Sequence, residues 1–333
     1  MNYFTLYSCC IIVKGINRGI IIDTQRNSIY YIPLYLCEIL EENHAINIDE
    51  FVKINFDNEK NLNEYFEFLL ENELGFITDI PENFPKIELN WDYPGEISNA
   101  VIDYNDSSYD IQKILLELSM MGCDNVLFRI FSHVEISFLQ ILCDFLNKTK
   151  IKCLDIIIPQ YNISNNEFIN LIHKYKRIRN ILITDSFNEE YCIHRTPEDM
   201  GNIFSIKEKI DELNISKKFK IDLSGMNLNI KNISESLKYN NFLNRKIGID
   251  IYGNIKNYPS FYKSYGNVKE THINTVISNP DFKKFWKITK DVMPVCKDCE
   301  YRYCCVSFCD NEDNIKRPDI FCKYNPYKNL WED

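Results

Sequence analysis

The sequence predicts an α/β protein in three parts. These are a winged-helix-like α+β domain over residues 1–84, a partial (β/α) barrel over 95–240 and a cysteine-rich metal-binding domain over 241–333. Short Ile- and Tyr-rich runs between turn residues open the chain. Apolar strands then alternate with amphipathic helical stretches beyond a proline-marked linker. Finally, six of the thirteen cysteines fall in the 27 residues from Cys296 to Cys322. A chain of 333 residues, 45% hydrophobic, has material for two or three cores.

In the first part, Cys9–Val13, Gly19–Asp23 and Ser28–Ile32 are separated by Lys14-Gly-Ile-Asn-Arg18 and Thr24-Gln-Arg-Asn27. That pattern predicts a three-stranded antiparallel sheet. Pro33 opens a helix at Leu34–Glu42, Asp49 caps a second, and Leu62–Asn72 sets Leu62, Tyr65, Phe66, Leu69 and Leu70 on one face of a third. Gly75–Thr78 reads as a closing strand. Met1–Tyr93 holds six Lys/Arg and sixteen Asp/Glu, leaving 32 of each for the remainder, so the whole net charge of −10 belongs to this quarter. Such a surface repels nucleic-acid phosphates and anionic lipid. It either favours a basic partner or is simply a solvated acidic face.

Pro81, Pro85 and Pro94 mark the linker. Ile97–Tyr104, Val126–Phe131, Leu154–Ile158, Asn180–Thr184 and Phe219–Leu223 then read as strands. Ser108–Met121 and Ile136–Leu146 read as helices, and the capping box Ser164-Asn-Asn-Glu167 opens another. This rhythm predicts a parallel sheet, and the near-continuous apolar run Leu154–Ile158 suits one buried on both faces. Barrels keep their chemistry in the loops after the strands. There, His133 and Glu135 form the one acid/base pair, a weak catalytic candidate, and no phosphate loop, dinucleotide fingerprint or nucleophile elbow occurs. Cys192 and His194-Arg195 make a poor Cys–His pair, because neighbouring strand side chains point apart.

The opening residues lack a basic start and a long apolar run, and no stretch of about eighteen apolar residues exists, so a cytoplasmic protein without a membrane span is expected. In a reducing compartment, clustered cysteines suit metal better than disulfides. Cys296 and Cys299 form a C-x-x-C grip, and Cys305 and Cys322 supply two more thiolates for a tetrahedral or cubane site, with Cys309 a possible further donor. The scattered Cys9, Cys10, Cys37, Cys123, Cys143, Cys153 and Cys192 read mostly as core residues.

Four segments carry a resemblance: Arg245-Lys-Ile-Gly-Ile-Asp-Ile-Tyr-Gly253, Ile255-Lys-Asn-Tyr-Pro-Ser260, Cys296-Lys-Asp-Cys-Glu-Tyr-Arg-Tyr303 and Cys322-Lys-Tyr-Asn-Pro-Tyr327. Over nearly its whole length the chain resembles the SPASM-domain peptide maturases of grasp-with-spasm systems. These are radical-SAM-like proteins that accompany an ATP-grasp ligase in making ribosomally derived peptide products. The resemblance implies that the first domain is a peptide-recognition element. A precursor leader peptide would add as a strand to its sheet edge, with Ser28, Ile29, Tyr30, Tyr31 and Ile32 the candidate positions. It implies an ATP-grasp ligase as partner, and neither nucleic acid nor membrane.

The departures matter as much. No C-x-x-x-C-x-x-C follows Tyr104, and Arg129-Ile-Phe-Ser-His-Val-Glu135 replaces the usual glycine-rich segment, so S-adenosylmethionine is not expected. At positions where relatives have cluster ligands or their glycine, this chain has Phe242, Gly253, Tyr258 and Ser224. The first auxiliary cluster is therefore expected to be absent and Cys309 orphaned. The second set, Cys296, Cys299, Cys305 and Cys322, is intact and fits one [4Fe–4S] cluster or one Zn²⁺. The expected function is a catalytically inactive accessory maturase, a scaffold that binds the precursor. The alternative is a peptide-modifying metalloenzyme of unrecognised mechanism using His133, Glu135 or the metal.

Overall fold

A computed structural model describes residues 2–54, 59–105, 109–160, 163–186, 190–194, 201–209, 223–306, 312–316 and 322–331. Cys309 and all but Leu223 of the expected strand Phe219–Leu223 lie outside them. The N-terminal region comprises β1 (Tyr3–Leu6), β2 (Cys10–Lys14), β3 (Gly19–Asp23), β4 (Ser28–Ile32), α1 (Leu34–Glu42), β5 (Ala45–Asn47), α2 (Ile48–Ile54), α3 (Glu59–Glu71) and β6 (Gly75–Thr78). The expected antiparallel sheet β2-β3-β4 is present. Two details differ from expectation. Gly75–Thr78 does not close that sheet but pairs with β1 in a second one, of order β5-β1-β6. Asp49 lies inside the first turn of α2 rather than capping it.

β3 is buried along its whole length because both faces of its sheet are covered. On one face α1 sets Leu36, Cys37, Ile39 and Leu40 with Ile21, Ile32 and the α3 residues Leu62, Phe66 and Leu69. Leu70, expected on that inward stripe, is instead 37% exposed. The other face of the sheet meets the cysteine-rich segment and Ile233.

The central region comprises β7 (Asn99–Tyr104), α4 (Ile111–Met120), β8 (Asn125–Ile130), α5 (Ile136–Leu146), β9 (Cys153–Pro159), α6 (Asn165–Lys174), β10 (Ile178–Thr184), β11 (Glu190–His194) and β12 (Asn202–Ser205). Beyond it come α7 (Ile230–Ser236), β13 (Lys246–Ile249), β14 (Ile255–Lys256), α8 (Ile273–Ile277), β15 (Tyr324–Asn325) and β16 (Leu330–Trp331). The large sheet has eight strands in the order β11-β12-β10-β9-β8-β7-β13-β14. The six from β12 to β13 are parallel and the two outer ones antiparallel. Ser164 caps α6 with the reciprocal Glu167 bonds the sequence predicts.

The sheet is not buried alike on both sides. Ala100, Ile102, Val126, Phe128, Leu154, Ile156 and Ile158 pack beneath α4, α5 and α6. Alternate residues face the other way, and β9 accordingly alternates between buried and partly exposed, unlike the doubly buried strand its composition suggests. On this second face Asp103 and Arg129 sit opposite each other near the C-terminal ends of β7 and β8. Both are at most 2% exposed, and the guanidinium donates Nε to Oδ1 and Nη2 to Oδ2, each at 2.5 Å.

A buried charge without its partner costs about 3–5 kcal/mol. Arg129→Leu should lose stability on that scale in urea unfolding, while Asp103→Leu/Arg129→Leu together should recover most of it. A single-variant loss below about 1 kcal/mol would mean that water already reaches the pair.

Candidate metal centre and recognition edge

A tight turn at Cys296–Asp298 begins the cysteine-rich segment, with the amide of Cys299 donating to the carbonyl of Cys296 at 3.1 Å. Val295 before it takes φ +65°, a left-handed conformation that β-branched residues rarely adopt. The hairpin of β15 and β16 then returns Cys322 to the same place. Cys296, Cys299, Cys305 and Cys322 all line one small cavity of about 30 Å³, walled also by Met226, Tyr324 and Trp331. Cys304 points elsewhere. It is fully buried, its Sγ donates to the carbonyl of Tyr301 at 3.3 Å, and burial pushes its thiol up to about 12.

Burial drives the Cys299 thiol well above its ordinary range, and the Tyr301 amide at 3.4 Å only partly offsets this. A cation entering the site therefore has to displace protons, so its affinity falls with acid. Among the described residues, no three of the four sulfurs gather within 4.8 Å. One zinc ion with Zn–S of about 2.3 Å draws thiolates to about 3.8 Å of one another. A cubane ties each thiolate to a different iron corner and holds the sulfurs farther apart than a single ion does. Four convergent soft donors fit a closed metal site of either kind. Zinc would pull the wall inward and a cubane would push it outward.

Phe242 and Tyr258, where the resemblance would place ligands of a first auxiliary cluster, put their rings 5.3 Å apart.

The cysteine-rich segment packs on the uncovered face of the β2-β3-β4 sheet. Ile11, Val13, Ile20 and Ile22 meet Tyr301, Cys304, Tyr324 and Ile233, with Cys299, Cys322 and Trp331 at the margin. Polar contacts fix the docking at the β2–β3 turn. The amide of Ile16 donates to the carbonyl of Asp298 (2.8 Å), and the Arg302 guanidinium donates to the carbonyl of Lys14 (2.6 Å). Arg18 donates to Glu300 (2.8 Å), a carboxylate 1% exposed that also accepts from the Tyr324 hydroxyl (2.5 Å).

Among the described residues, β4 is an outer strand that pairs only with β3. On the opposite side of the sheet, linker residues Lys86, Ile87 and Leu89 wall a cavity of about 250 Å³ beside β2. Ser28, Ile29 and Tyr30 are half-buried, Ile32 is buried, and Tyr31 is 45% exposed. Tyr30 contacts Phe68 of α3. The Tyr31 ring lies under the Arg18 guanidinium, and its hydroxyl shares a 2.8 Å hydrogen bond with that of Tyr301. The candidate recognition strand and the candidate metal segment therefore touch. The sequence carries no signal for the Arg18–Glu300–Tyr301–Tyr324 contacts, whose partners lie up to 306 residues apart.

His133 and Glu135 are both exposed and line none of these cavities. Glu135 accepts from the Ser137 hydroxyl at 3.3 Å and heads α5. A trio the sequence reading passed over is Cys9, Cys10 and Asp23, whose donor atoms lie within 4.8 Å of one another. The Asp23 carboxylate already accepts the amides of Gln25 and Arg26 at 2.9 and 3.0 Å, and Arg26 neutralises it, so it serves first as a turn cap.

No protein-family model matches the chain, and no curated protein matches it. No described helix is long and apolar enough to cross a membrane.

Cys299→Ser or Cys322→Ser should lower bound metal to well under half of its wild-type stoichiometry, while Cys304→Ser should leave it unchanged. Elemental analysis of anaerobically purified protein reads both. Equal loss in Cys304→Ser would reassign the ligand set.

Proposed function

We propose that the protein is a peptide-capture scaffold in the maturation of ribosomally made peptides. A leader peptide adds as a further strand to β4, and an ATP-grasp ligase works on the captured precursor. The observation that carries this reading is the outer edge of β4, which has no strand partner among the described residues, on a sheet packed on both faces. A strand so held presents backbone donors and acceptors without the entropy cost of ordering them on binding. Partly exposed Tyr30 and Tyr31 offer side-chain contacts beside the edge.

A [4Fe–4S] cluster or Zn²⁺ held by Cys296, Cys299, Cys305 and Cys322 serves this scaffold as a clamp. Four protein thiolates leave no open coordination position, so the metal's contribution is folding energy rather than substrate activation. The residues present do not suit radical chemistry on S-adenosylmethionine. No cysteine follows β7 in the described residues or in the sequence up to Cys123. The Asp103–Arg129 pair also occupies the end of the sheet where barrel enzymes keep their reacting groups.

A fluorescently labelled leader from a precursor encoded beside the protein should bind saturably, and hydrogen exchange at the β4 amides should slow on binding. Unchanged exchange at Ser28–Ile32 would exclude the strand-addition site. Because the first quarter carries the net charge of −10, affinity for a basic leader should fall steadily as salt rises. Co-expression of precursor and this protein without the ligase should leave the precursor mass unchanged. A mass shift in that experiment would favour the metalloenzyme alternative.

A further inference from the structure

A cavity of about 530 Å³ lies on the second face of the parallel sheet at the N-terminal ends of its strands. That volume is in the range of small-molecule sites. Its floor is built by register. Asn99 of β7 stands beside Asn125 of β8, and one step further in Val101 stands beside Leu127. Phe242 and Tyr258 form an aromatic wall. Gly248 lets that wall approach, since a Cβ there would stand 2.5 Å from the backbone nitrogen of Pro259.

The charges around the cavity are already satisfied. Asp155 accepts from Arg179 and, at 2.8 Å, from the Asn180 amide, and Lys246 donates to the carbonyl of Asn241 at 2.8 Å. The side chains of Asn99 and Asn125, by contrast, form no hydrogen bond among the described residues. Two carboxamides on neighbouring strands stand about 4.8 Å apart. Each offers a donor and an acceptor, the pattern of a peptide group. Beneath them lies an apolar belt of Val101, Leu127 and Ile157 facing two rings.

We propose that this cavity binds an uncharged aromatic residue flanked by amide groups, with Asn99 and Asn125 reading the amides while Leu127, Phe242 and Tyr258 hold the ring. The inference does not rest on leader binding at β4. It places a ligand where the resemblance would have put an iron–sulfur cluster and at the opposite end of the sheet from barrel active sites.

The test is a saturation-transfer NMR titration of the full-length protein with N-acetyl-L-tryptophanamide. Saturable binding is expected, weakened at least tenfold by Leu127→Trp, which fills the cavity, and by Asn125→Leu, which removes one carboxamide. Asn99→Leu answers the same question if Leu127→Trp fails to fold. Comparison with Ac-Gly-Gly-Trp-Gly-Gly-NH2 separates the sources: tighter binding of the pentapeptide identifies a chain segment as the occupant, and tighter binding of the single residue identifies a free small molecule. Absence of saturable binding, or equal affinity in Leu127→Trp, would overturn the site. Equal affinity for 3-methylindole, which lacks amides, would overturn the role of the asparagines.

Discussion

The docking of the cysteine-rich segment onto the β2-β3-β4 sheet is the constraint on which the rest depends, and the buried Glu300 carboxylate is its centre. A carboxylate 1% exposed is tolerable only when its charge is answered. Arg18 answers it from the turn between β2 and β3, Tyr324 adds a hydroxyl from β15, and the same guanidinium lies over Tyr31. One residue of the β2-β3-β4 sheet thus fixes the cysteine-rich segment, the β15-β16 hairpin and a side chain of the β4 edge. The apolar layer of Ile11, Val13, Ile20 and Ile22 supplies the bulk of the contact, and the ion pair fixes its register.

This arrangement gives the proposed metal a definite physical task. The thiolates reach their cavity from a turn, a short loop and a hairpin that have little regular structure of their own. Without a cation, burial keeps Cys299 protonated and the segment relies on its contacts with the sheet. With a cation, the segment is cross-linked and its outer surface becomes a rigid backing for β4. Tyr301 touches both the cavity and Tyr31, so on the proposed reading it is the contact through which metal loading would reach the β4 edge.

The large sheet divides its exposed face in two. Toward the strand C-termini Asp103 and Arg129 form a buried bidentate ion pair. Toward the N-termini, aromatic rings and asparagines leave an open volume. The alternation of strand side chains is responsible: one parity packs under helices, and the other runs along β7 and β8 from Asn through an apolar residue to a charge, as in Asn99, Val101 and Asp103 and in Asn125, Leu127 and Arg129.

Local pattern determined much of this protein. The β3, β4 and β6 strands and the α1 and α5 helices fall where periodicity and turn chemistry place them, and Ser164 caps its helix as the spacing requires, because all of these depend on neighbours in sequence. The C-x-x-C pair likewise announces its own chemistry. Only tertiary structure decided the rest. It paired β6 with β1, a strand the sequence reading did not anticipate, placed β13 beside β7 across more than 140 residues, and turned Leu70 outward. It also brought Cys322 to Cys296, and Tyr31 to Tyr301. Each of these depends on which surfaces remain uncovered once the local elements have formed, and no window of sequence contains both partners.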